Sequence, residues 1–342
     1  MRRIVSVKRR DDSLRERLGT RSATAPSSLP PDRYELGDRY TLGEILGEGA
    51  MGRVYAARDT FLARDVALKV PHKRIDEVMV RGVLNEARAA ARLESEHVAR
   101  VLDTGRTGSQ GLPYIVMERL EGVDLASLPK PLPFGTAIDY VAQACKAIAE
   151  AHTIGMVHRD IKPSNLFLAQ RRGGGCLIKV LDFGIADFGA KRPRAGDSEM
   201  AGTPDYMAPE VLMGERADAR SDVWSLGVVL FELMAAQVPF EGDEPHVVWM
   251  SILQDVAPRL DERRPHVPRK VADVVARCLA KDPAARYTNA TELGAALAAL
   301  MVKRARPPFV VALACVVLVA IGVIAGAHMH RTPTVLVQSS VR

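Results

Sequence analysis

The chain has 342 residues, a formal net charge of +6 and a hydrophobic content of 47%. This length allows two lobes with hydrophobic cores of their own, and the composition is ordinary for a folded protein. The positive charge does not indicate a nucleic-acid partner, because much of it lies in residues 1–33 and in the basic run 303–306. The four cysteines form no Cys-x-x-Cys pair, so neither a zinc knuckle nor a disulfide framework is predicted, which agrees with a reducing compartment.

Residues 1–33 are rich in Arg, Ser and Pro and lack the apolar stretch of a signal peptide. Their composition predicts a disordered arm. A helical pattern is found at 76–93, among β-like runs at 40–46, 54–57, 65–70 and 114–118. Later helical patterns lie at 134–154, 221–236, 273–279 and 292–301. The order predicts an α+β protein with a small β-rich N-lobe at 40–120 and a larger helical C-lobe at 121–302.

Residues 309–327 form a stretch of about 19 residues without a charged side chain. At 1.5 Å per residue this stretch roughly spans the hydrocarbon core of a bilayer. A buried core helix is the alternative, but it needs packing partners, and only 15 residues follow. Because Lys303, Arg304 and Arg306 crowd the N-terminal flank, we predict a single span of the inner or plasma membrane with both lobes in the cytoplasm. Residues 328–342 would form a short extracytoplasmic tail, too small for a sensor domain.

A glycine-rich run follows the first predicted strand. It reads G-x-G-x-x-G-x-V and consists of Gly47, Glu48, Gly49, Ala50, Met51, Gly52, Arg53 and Val54. Dinucleotide-binding folds share the first part of this pattern between a strand and a helix, whereas this run lies between two β-like runs. Glycines let the backbone approach an anion and present N–H groups to it. The run therefore favours a flap over phosphate groups, with a plain hairpin turn as the alternative.

Lys69 lies on the next predicted strand, within the sequence Val-Ala-Leu-Lys. With a period of two, Ala67 and Lys69 share one face of that strand. A lysine under a glycine flap can hold phosphate oxygens, and it needs a carboxylate to fix its position. Glu86 on the next predicted helix is suitably placed for this role. The alternative for Lys69 alone is a solvated strand lysine.

The most informative segment is 158–165, which reads HRDIKPSN. Asp160 can accept a proton from an attacking hydroxyl group or orient that group, and Lys162 can neutralise charge on a transferred phosphoryl group. Asn165 offers Mg²⁺ a neutral oxygen ligand, and Asp182, in a later Asp-Phe-Gly triplet, offers a carboxylate. Together these residue types indicate chemistry on a phosphorylated substrate with Mg²⁺.

Five motifs follow one another over residues 40–302: the glycine run, Val-Ala-Leu-Lys, HRDIKPSN, DFG and GTPDYMAPE. On these motifs the sequence resembles the eukaryotic-like serine/threonine protein kinases of bacteria, of the membrane-anchored kind. The resemblance implies the bilobal protein kinase fold, ATP and Mg²⁺ as cofactors, and transfer of the γ-phosphoryl group of ATP to serine and threonine hydroxyls. The partners would be protein substrates, including this chain itself, and a homodimer is a further expectation.

The resemblance also implies roles for single residues. Met117 would guard the back of the nucleotide pocket, and the hinge Glu118–Leu120 would bind adenine through its backbone. Asp222 would hold the catalytic loop, and Arg286 would pair with Glu210. The residues that it places around ATP, besides the flap, are Leu46, Ala67, Lys69, Glu86, Met117, Glu118, Leu120 and, beneath adenine, Phe167.

Two other protein classes are alternatives. A pseudokinase would signal by binding alone, but the residues for chemistry are all present in this sequence. A lipid or small-molecule phosphotransferase shares the fold, but GTPDYMAPE resembles a peptide-docking loop and argues against it.

Ser198 is the candidate phosphosite between the DFG and APE motifs, because Thr203 and Tyr206 belong to the docking loop. Asp187 stands where such kinases commonly carry a basic residue. This acidic residue weakens the phosphate pocket expected around Arg159.

Overall fold

The computed structural model describes residues 36–49, 52–72, 76–108, 111–171, 173–183 and 204–301. The predicted arm, the flap residues Ala50 and Met51, the phosphosite candidate Ser198 and the apolar stretch 309–327 lie outside these ranges. Among the helices formed by the described residues, none has both the length and the apolar character needed to cross a membrane.

The N-lobe is built on one antiparallel sheet. Its strands are β1 (Tyr40–Gly49), β2 (Gly52–Asp59), β3 (Arg64–Pro71), β4 (Val101–Arg106) and β5 (Pro113–Glu118), in the spatial order β1-β2-β3-β5-β4. Helix α1 (Glu77–Ala90) follows β3. The Asp76 side chain caps this helix by accepting a hydrogen bond from Met79 N at 2.7 Å.

Strand β3 separates the core of the N-lobe from the face that carries Lys69. Its three residues on the core face are fully buried: Val66, Leu68 and Val70. On the other face, Lys69 lies opposite Ile115 of β5, and Ile115 packs against Val83 and Ala87 of α1. The predicted alternation is therefore confirmed, and α1 covers the same face from which Lys69 projects.

The C-lobe combines a small antiparallel sheet with helices. Strands β6 (Gly122–Asp124), β7 (Leu166–Gln170) and β8 (Cys176–Val180) pair in that order. Helix α2 (Phe134–Thr153) precedes β7 in the chain and packs against β8. The later helices are α3 (Pro209–Leu212), α4 (Ala219–Ala235), α5 (Pro245–Gln254), α6 (Leu260–Arg263), α7 (Arg269–Cys278) and α8 (Ala290–Met301).

Helix α4 is the buried centre of the C-lobe, as expected of a helical segment that is apolar nearly all round. Trp224 and most of its neighbours along the helix are buried. A capping box formed by Asp218 and Ser221 begins the helix. A Cβ atom at Gly227 would lie 2.4 Å from the Cβ of Cys278, so glycine at this position lets α7 approach α4 closely.

Candidate active site

The glycine flap connects β1 with β2. Gly47 lies opposite Val54 and Gly49 opposite Gly52 in the paired strands. A Cβ atom at Gly52 would lie 2.3 Å from the carbonyl oxygen of Val70, so only glycine fits there. At Gly47 and Gly49 nothing lies within 4 Å of the Cβ position. This open space beside the backbone is what a phosphate group needs to approach main-chain N–H groups.

The side chains at the base of the flap point toward solvent. Glu48 and Arg53 form an ion pair at 3.0 Å across the two strands, and Leu46 is 44% exposed. An exposed apolar side chain at this position is available to cover a bound ligand.

Lys69 is held by Asp182. Its Nζ lies 2.8 Å from Asp182 Oδ1, and the two side chains are 13% and 27% exposed. The Oε1 atom of the predicted partner Glu86 lies 3.8 Å from Arg159 Nη1. In this structure Asp182 lies beside Lys69, and Glu86 lies beside Arg159.

The pairing with Lys69 keeps Asp182 ionised. Burial raises the pKa of the Asp182 carboxyl, but the charge of Lys69 and its hydrogen bond more than offset this, so the pKa lies below its usual value. Asp182 is therefore a carboxylate that can bind a second cation as well as Lys69.

The catalytic loop, residues 158–165, brings Asp160, Lys162 and Asn165 together. Lys162 Nζ lies 2.9 and 2.8 Å from the two carboxylate oxygens of Asp160. Asn165 Nδ2 donates to the main-chain oxygen of Asp160 at 2.7 Å and to its Oδ2 at 2.9 Å. Because both amide hydrogens are used in this way, the Asn165 Oδ1 atom points elsewhere and can serve as a metal ligand.

Asp222 of α4 anchors the catalytic loop. Its carboxylate accepts hydrogen bonds from the backbone N–H groups of His158 at 2.8 Å and Arg159 at 2.9 Å. His152 Nε2 lies 2.9 Å from the same carboxylate, and it must donate because a carboxylate only accepts. Asp222 is 1% exposed, so these three donors replace the water that its charge has lost. The role that the resemblance implies for Asp222 is present in the structure.

Arg159 and Asp182 both adopt a left-handed backbone conformation, with φ of +70° and +55°. Such a conformation costs a residue other than glycine about 1–2 kcal/mol. Neighbouring contacts hold it in place: His158 Nε2 donates to Leu181 O at 2.8 Å, and the His158 ring packs on Phe183 with 4.9 Å between ring centroids. The strained backbone fixes the direction in which the Asp182 carboxylate projects.

Most of the residues expected around adenine lie on strands of the two sheets. Ala67 of β3 is opposite Met117 of β5, and Val54 of β2 is opposite Lys69. Phe167 lies on β7 of the second sheet. Met117, Phe167 and Leu120 are half-buried, so they keep surface that a flat apolar ligand can cover.

Glu118 ends β5 and joins the two sheets. Its backbone N–H donates to Arg100 O at 3.0 Å, so the carbonyl is the main-chain group that remains for a ligand. Its carboxylate accepts hydrogen bonds from Arg100 N at 2.9 Å and from Lys179 Nζ of β8 at 2.6 Å. Both side-chain contacts fix the position of the hinge between the lobes.

The docking segment, residues 204–210, is fixed at its C-terminal end by a buried ion pair. Arg286 donates to the two oxygens of Glu210 at 2.9 and 2.8 Å, and Ser221 Oγ donates to Glu210 Oε1 at 2.8 Å. Burial raises the pKa of the Glu210 carboxyl, but Arg286 more than offsets this, so the pKa lies below its usual value. The expected Glu210–Arg286 pair is therefore present, and it is satisfied on both oxygens.

The donor set fits Mg²⁺ bound together with a nucleotide. Within the described ranges, no three His, Cys, Asp or Glu side chains are grouped so as to hold a metal ion by themselves. Asp182 and Asn165 supply one carboxylate and one amide oxygen. Mg²⁺ is commonly bound by one or two protein oxygens, with phosphates and water completing its octahedral shell. Lys69 and the open flap add the positive charge and the space that phosphates need.

His152 and Lys179 are site residues that the sequence analysis missed. His152 stands in the last turn of α2, where nothing in the local pattern distinguishes it from a solvated helix histidine. Lys179 alternates with the buried Ile178 and Val180 on β8. A lysine between two apolar residues of a short strand indicates a half-buried charge, and this signal was available in the sequence.

Comparisons with known proteins agree with this geometry. Residues 40–297 match the family model described as protein kinase domain. Serine/threonine-protein kinase PknB of Mycobacterium leprae is 39% identical over 290 residues, which cover 82% of this chain and 45% of that protein. PknB of Mycolicibacterium smegmatis is 40% identical over 272 residues, which cover 77% of this chain and 43% of that protein. The chain therefore spans less than half the length of these curated relatives.

The solved structures include a similar domain. The crystal structure of the Mycobacterium tuberculosis PknI kinase domain has 30% sequence identity and a TM-score of 0.60, with 76% of this chain and 94% of that chain covered.

Proposed function

Because this chain belongs to the protein kinase family, we propose that it transfers the γ-phosphoryl group of ATP to serine and threonine hydroxyls of proteins. One observation carries the proposal. The ionised Asp182 beside Lys69 and the Asp160–Lys162–Asn165 cluster supply both halves of phosphoryl transfer in one folded unit. The Asp182–Lys69 pair can bind the phosphates and their metal ion, and the Asp160–Lys162–Asn165 cluster can bind and deprotonate the acceptor hydroxyl.

In the proposed reaction the acceptor oxygen forms a bond to the γ-phosphorus while the bond from that phosphorus to the bridging oxygen of ADP breaks. Asp160 takes the hydroxyl proton. Lys162, at 2.8 Å from Asp160, places its positive charge beside the transferred group. Asn165 holds the Asp160 side chain at 2.9 Å, which fixes the direction of proton transfer.

The proposed nucleotide site uses the flap and the hinge. Asp182 and Asn165 would hold Mg²⁺, which when bound neutralises charge on the phosphates. Lys69 would exchange part of its bond to Asp182 for a phosphate oxygen. The carbonyl of Glu118 and the backbone of Leu120 would bind adenine, with Val54 and Ala67 on one side of the base and Phe167 on the other.

Protein substrates follow from the resemblance of the docking segment. Lys162, two residues after Asp160, and Thr203, in the GTPDYMAPE motif, resemble serine/threonine kinases and not tyrosine kinases. The product analysis should therefore give phosphoserine and phosphothreonine with little phosphotyrosine.

The proposal is tested with the purified full-length chain, labelled ATP and myelin basic protein as acceptor. Lys69→Met, Asp160→Asn and Asp182→Asn should each lower transfer by at least about 100-fold, since each removes a group aimed at the reacting atoms. Asp243→Asn is the matched control, because Asp243 is exposed. Full activity in Asp160→Asn would contradict the mechanism and favour a different base. Binding of partners without any transfer by the unaltered chain would favour a pseudokinase.

Regulation by autophosphorylation is a further part of the proposal. A phosphate on Ser198 carries about −1.5 to −2 charges and would compete with Glu86 for Arg159, which now lies 3.8 Å from Glu86. Glu86 would then be released toward Lys69. Ser198→Ala should lower activity, and mass spectrometry should find phosphate at Ser198 in the unaltered protein. Equal activity without that phosphate would mean that the loop is active without phosphorylation at Ser198.

A single membrane span at 309–327 is also proposed, supported by its uncharged sequence and the basic flank 303–306. The full-length chain should sediment with membranes, whereas a chain ending at residue 303 should not. Protease added to spheroplasts should remove a tag at the C-terminus while sparing the lobes. A soluble full-length chain would rule out this topology.

A homodimer is the remaining proposal on partners. Phe61 and Leu62, at the turn between β2 and β3, are 85% and 51% exposed, and burying them against a second copy would remove apolar surface from water. Light scattering of the full-length chain should give twice the chain mass, and Phe61→Ser should reduce it. Val256→Ser is the control, because Val256 is 89% exposed elsewhere.

A further inference from the structure

Lys130, Glu232 and Tyr206 form a charged cluster that the mechanism above does not use. Glu232 Oε2 accepts a hydrogen bond from the Tyr206 hydroxyl at 2.6 Å, and its Oε1 forms an ion pair with Lys130 Nζ. The Lys130 and Glu232 side chains are only 14% and 12% exposed. The cluster therefore joins three separate parts of the chain: the segment before α2, the docking segment and α4.

Glu232 needs a cation at this position. It stands in the last turn of α4, where the helix dipole disfavours negative charge. The neighbouring Asp205 makes negative charge at this place still less favourable. Burial and the charge of Glu232 both raise the pKa of the Asp205 carboxyl. Among the described residues, Lys130 provides the positive charge that pairs with Glu232. Without it, Glu232 would be a largely buried charge with no ionic partner.

The docking segment and the segment before α2 are also joined to α4 by hydrogen bonds between uncharged groups. Ser225 Oγ donates to Tyr206 O at 2.7 Å, and Leu132 N donates to Leu233 O at 2.7 Å. Loss of Lys130 therefore leaves the docking segment attached to the C-lobe. The bond from the Tyr206 hydroxyl to Glu232 is the contact of the docking segment that depends on the charge of Glu232.

We propose that Lys130 is a positioning residue for the protein acceptor: by neutralising Glu232, it keeps this carboxylate bonded to Tyr206 and so sets the docking segment on α4. The inference rests on the proposed kinase function, since it assigns residues 204–210 to acceptor binding. Lys130 contacts none of the nucleotide-binding residues in the described structure. Its removal should therefore weaken acceptor binding without weakening ATP binding.

Steady-state kinetics of the full-length chain with myelin basic protein test this inference. Lys130→Met should raise KM for the acceptor about tenfold, while KM for ATP changes by less than about twofold. Lys130→Arg keeps the charge and should restore the acceptor KM. Tyr206→Phe should raise it as Lys130→Met does, and the double variant should be no worse than either single one, because both remove the same interaction.

Lys146→Met is the matched control, since Lys146 is an exposed lysine of α2, and it should leave both KM values unchanged. An acceptor KM that Lys130→Met does not change, or an ATP KM that rises in parallel, would overturn the inference. Thermal melting identifies a variant that fails to fold. If Lys130→Met fails to fold, the other two variants decide the question: Lys130→Arg should keep the acceptor KM of the unaltered chain, and Tyr206→Phe should raise it. If the unaltered chain transfers no phosphate, the proposed function is overturned and the inference falls with it.

Discussion

Lys69 and Asp182 form an ion pair across the cleft whose two charges depend on each other. Burial acts to raise the pKa of the Asp182 carboxyl, and Lys69 holds it below its usual value. In Lys69→Met only burial remains, so the pKa of Asp182 should rise above the value of about 3.9 that a free carboxyl has. Carbon-13 NMR titration of labelled aspartates measures this change.

The same pair makes a contribution to stability that depends on pH. Since the folded pKa of Asp182 lies below the unfolded one, the contribution is present at neutral pH. It is lost as the pH falls from the unfolded pKa through the folded one. Lys146→Met serves as the control for the titration. An Asp182 pKa that is the same with and without Lys69 would contradict this account of the ion pair.

The residues of the site were predictable from the sequence, but their partners were only partly so. The spacing of HRDIKPSN already places Asp160, Lys162 and Asn165 within one loop, and a loop of that length brings them together. Lys69 could pair with the carboxylate of Glu86 on α1 or with that of Asp182 in the Asp-Phe-Gly triplet. The choice depends on how far α1 lies from β3 and on the competing charge of Arg159. Such distances between elements leave no trace in local sequence.

At the scale of single elements, the start of α4 depends on its capping box. The Asp218 side chain accepts a hydrogen bond from Arg220 N at 2.7 Å, and Ser221 Oγ accepts one from Asp218 N at 3.2 Å. Asp218→Ala should lower the free energy of unfolding by about 1 kcal/mol, the usual cost of losing such a cap. Urea denaturation followed by circular dichroism measures it. Glu215→Ala, at an exposed position just before the helix, should have a much smaller effect.

The connection between the docking segment and the helices depends on Arg286. Arg286→Met would leave Glu210 buried without its cation, and breaking a buried pair in this way costs about 3–5 kcal/mol. The free energy of unfolding should fall by an amount in that range. Because the pKa of Glu210 is held below its usual value, the difference from the unaltered protein should shrink as acid protonates Glu210. Arg263→Met, on an exposed arginine of α6, is the control, and an equal loss there would contradict the assignment.

Long periodic elements were predicted well, and several short ones were missed. The predicted helices at 76–93 and 134–154 correspond to α1 (Glu77–Ala90) and α2 (Phe134–Thr153), since both have apolar faces several turns long. Strands β4, β6, β7 and β8 were not predicted. A short apolar run such as Leu166–Gln170 is compatible with either a strand or a helix, and its pairing with β8 decides between them.

At the scale of the whole molecule, the lobes are joined by backbone as well as by the hinge. Ala99 N donates to Val180 O at 3.0 Å, and Val180 N donates to His97 O at 2.7 Å. The His97 ring adds a contact to Ile178 O at 2.8 Å. The residues just before β4 therefore rest directly on β8 of the C-lobe. The change from β-like to helical sequence indicates two lobes, but main-chain bonds of this kind depend little on side chains and could not be predicted.

The anchoring of the catalytic loop by Asp222 has a consequence for the exchange of amide hydrogens with solvent. The amides of His158 and Arg159 belong to an irregular loop, yet both donate to the carboxylate of Asp222 in α4, the most buried helix in the part of the chain that the structure describes. They can reach water only when α4 separates from the loop, which requires the C-lobe to open as a unit. In deuterium exchange these two amides should fall in the slowest class, with the amides of α4 itself. If they exchange as fast as the amides of exposed loops, the catalytic loop opens locally; slow exchange would mean that it keeps its geometry for as long as the lobe remains folded.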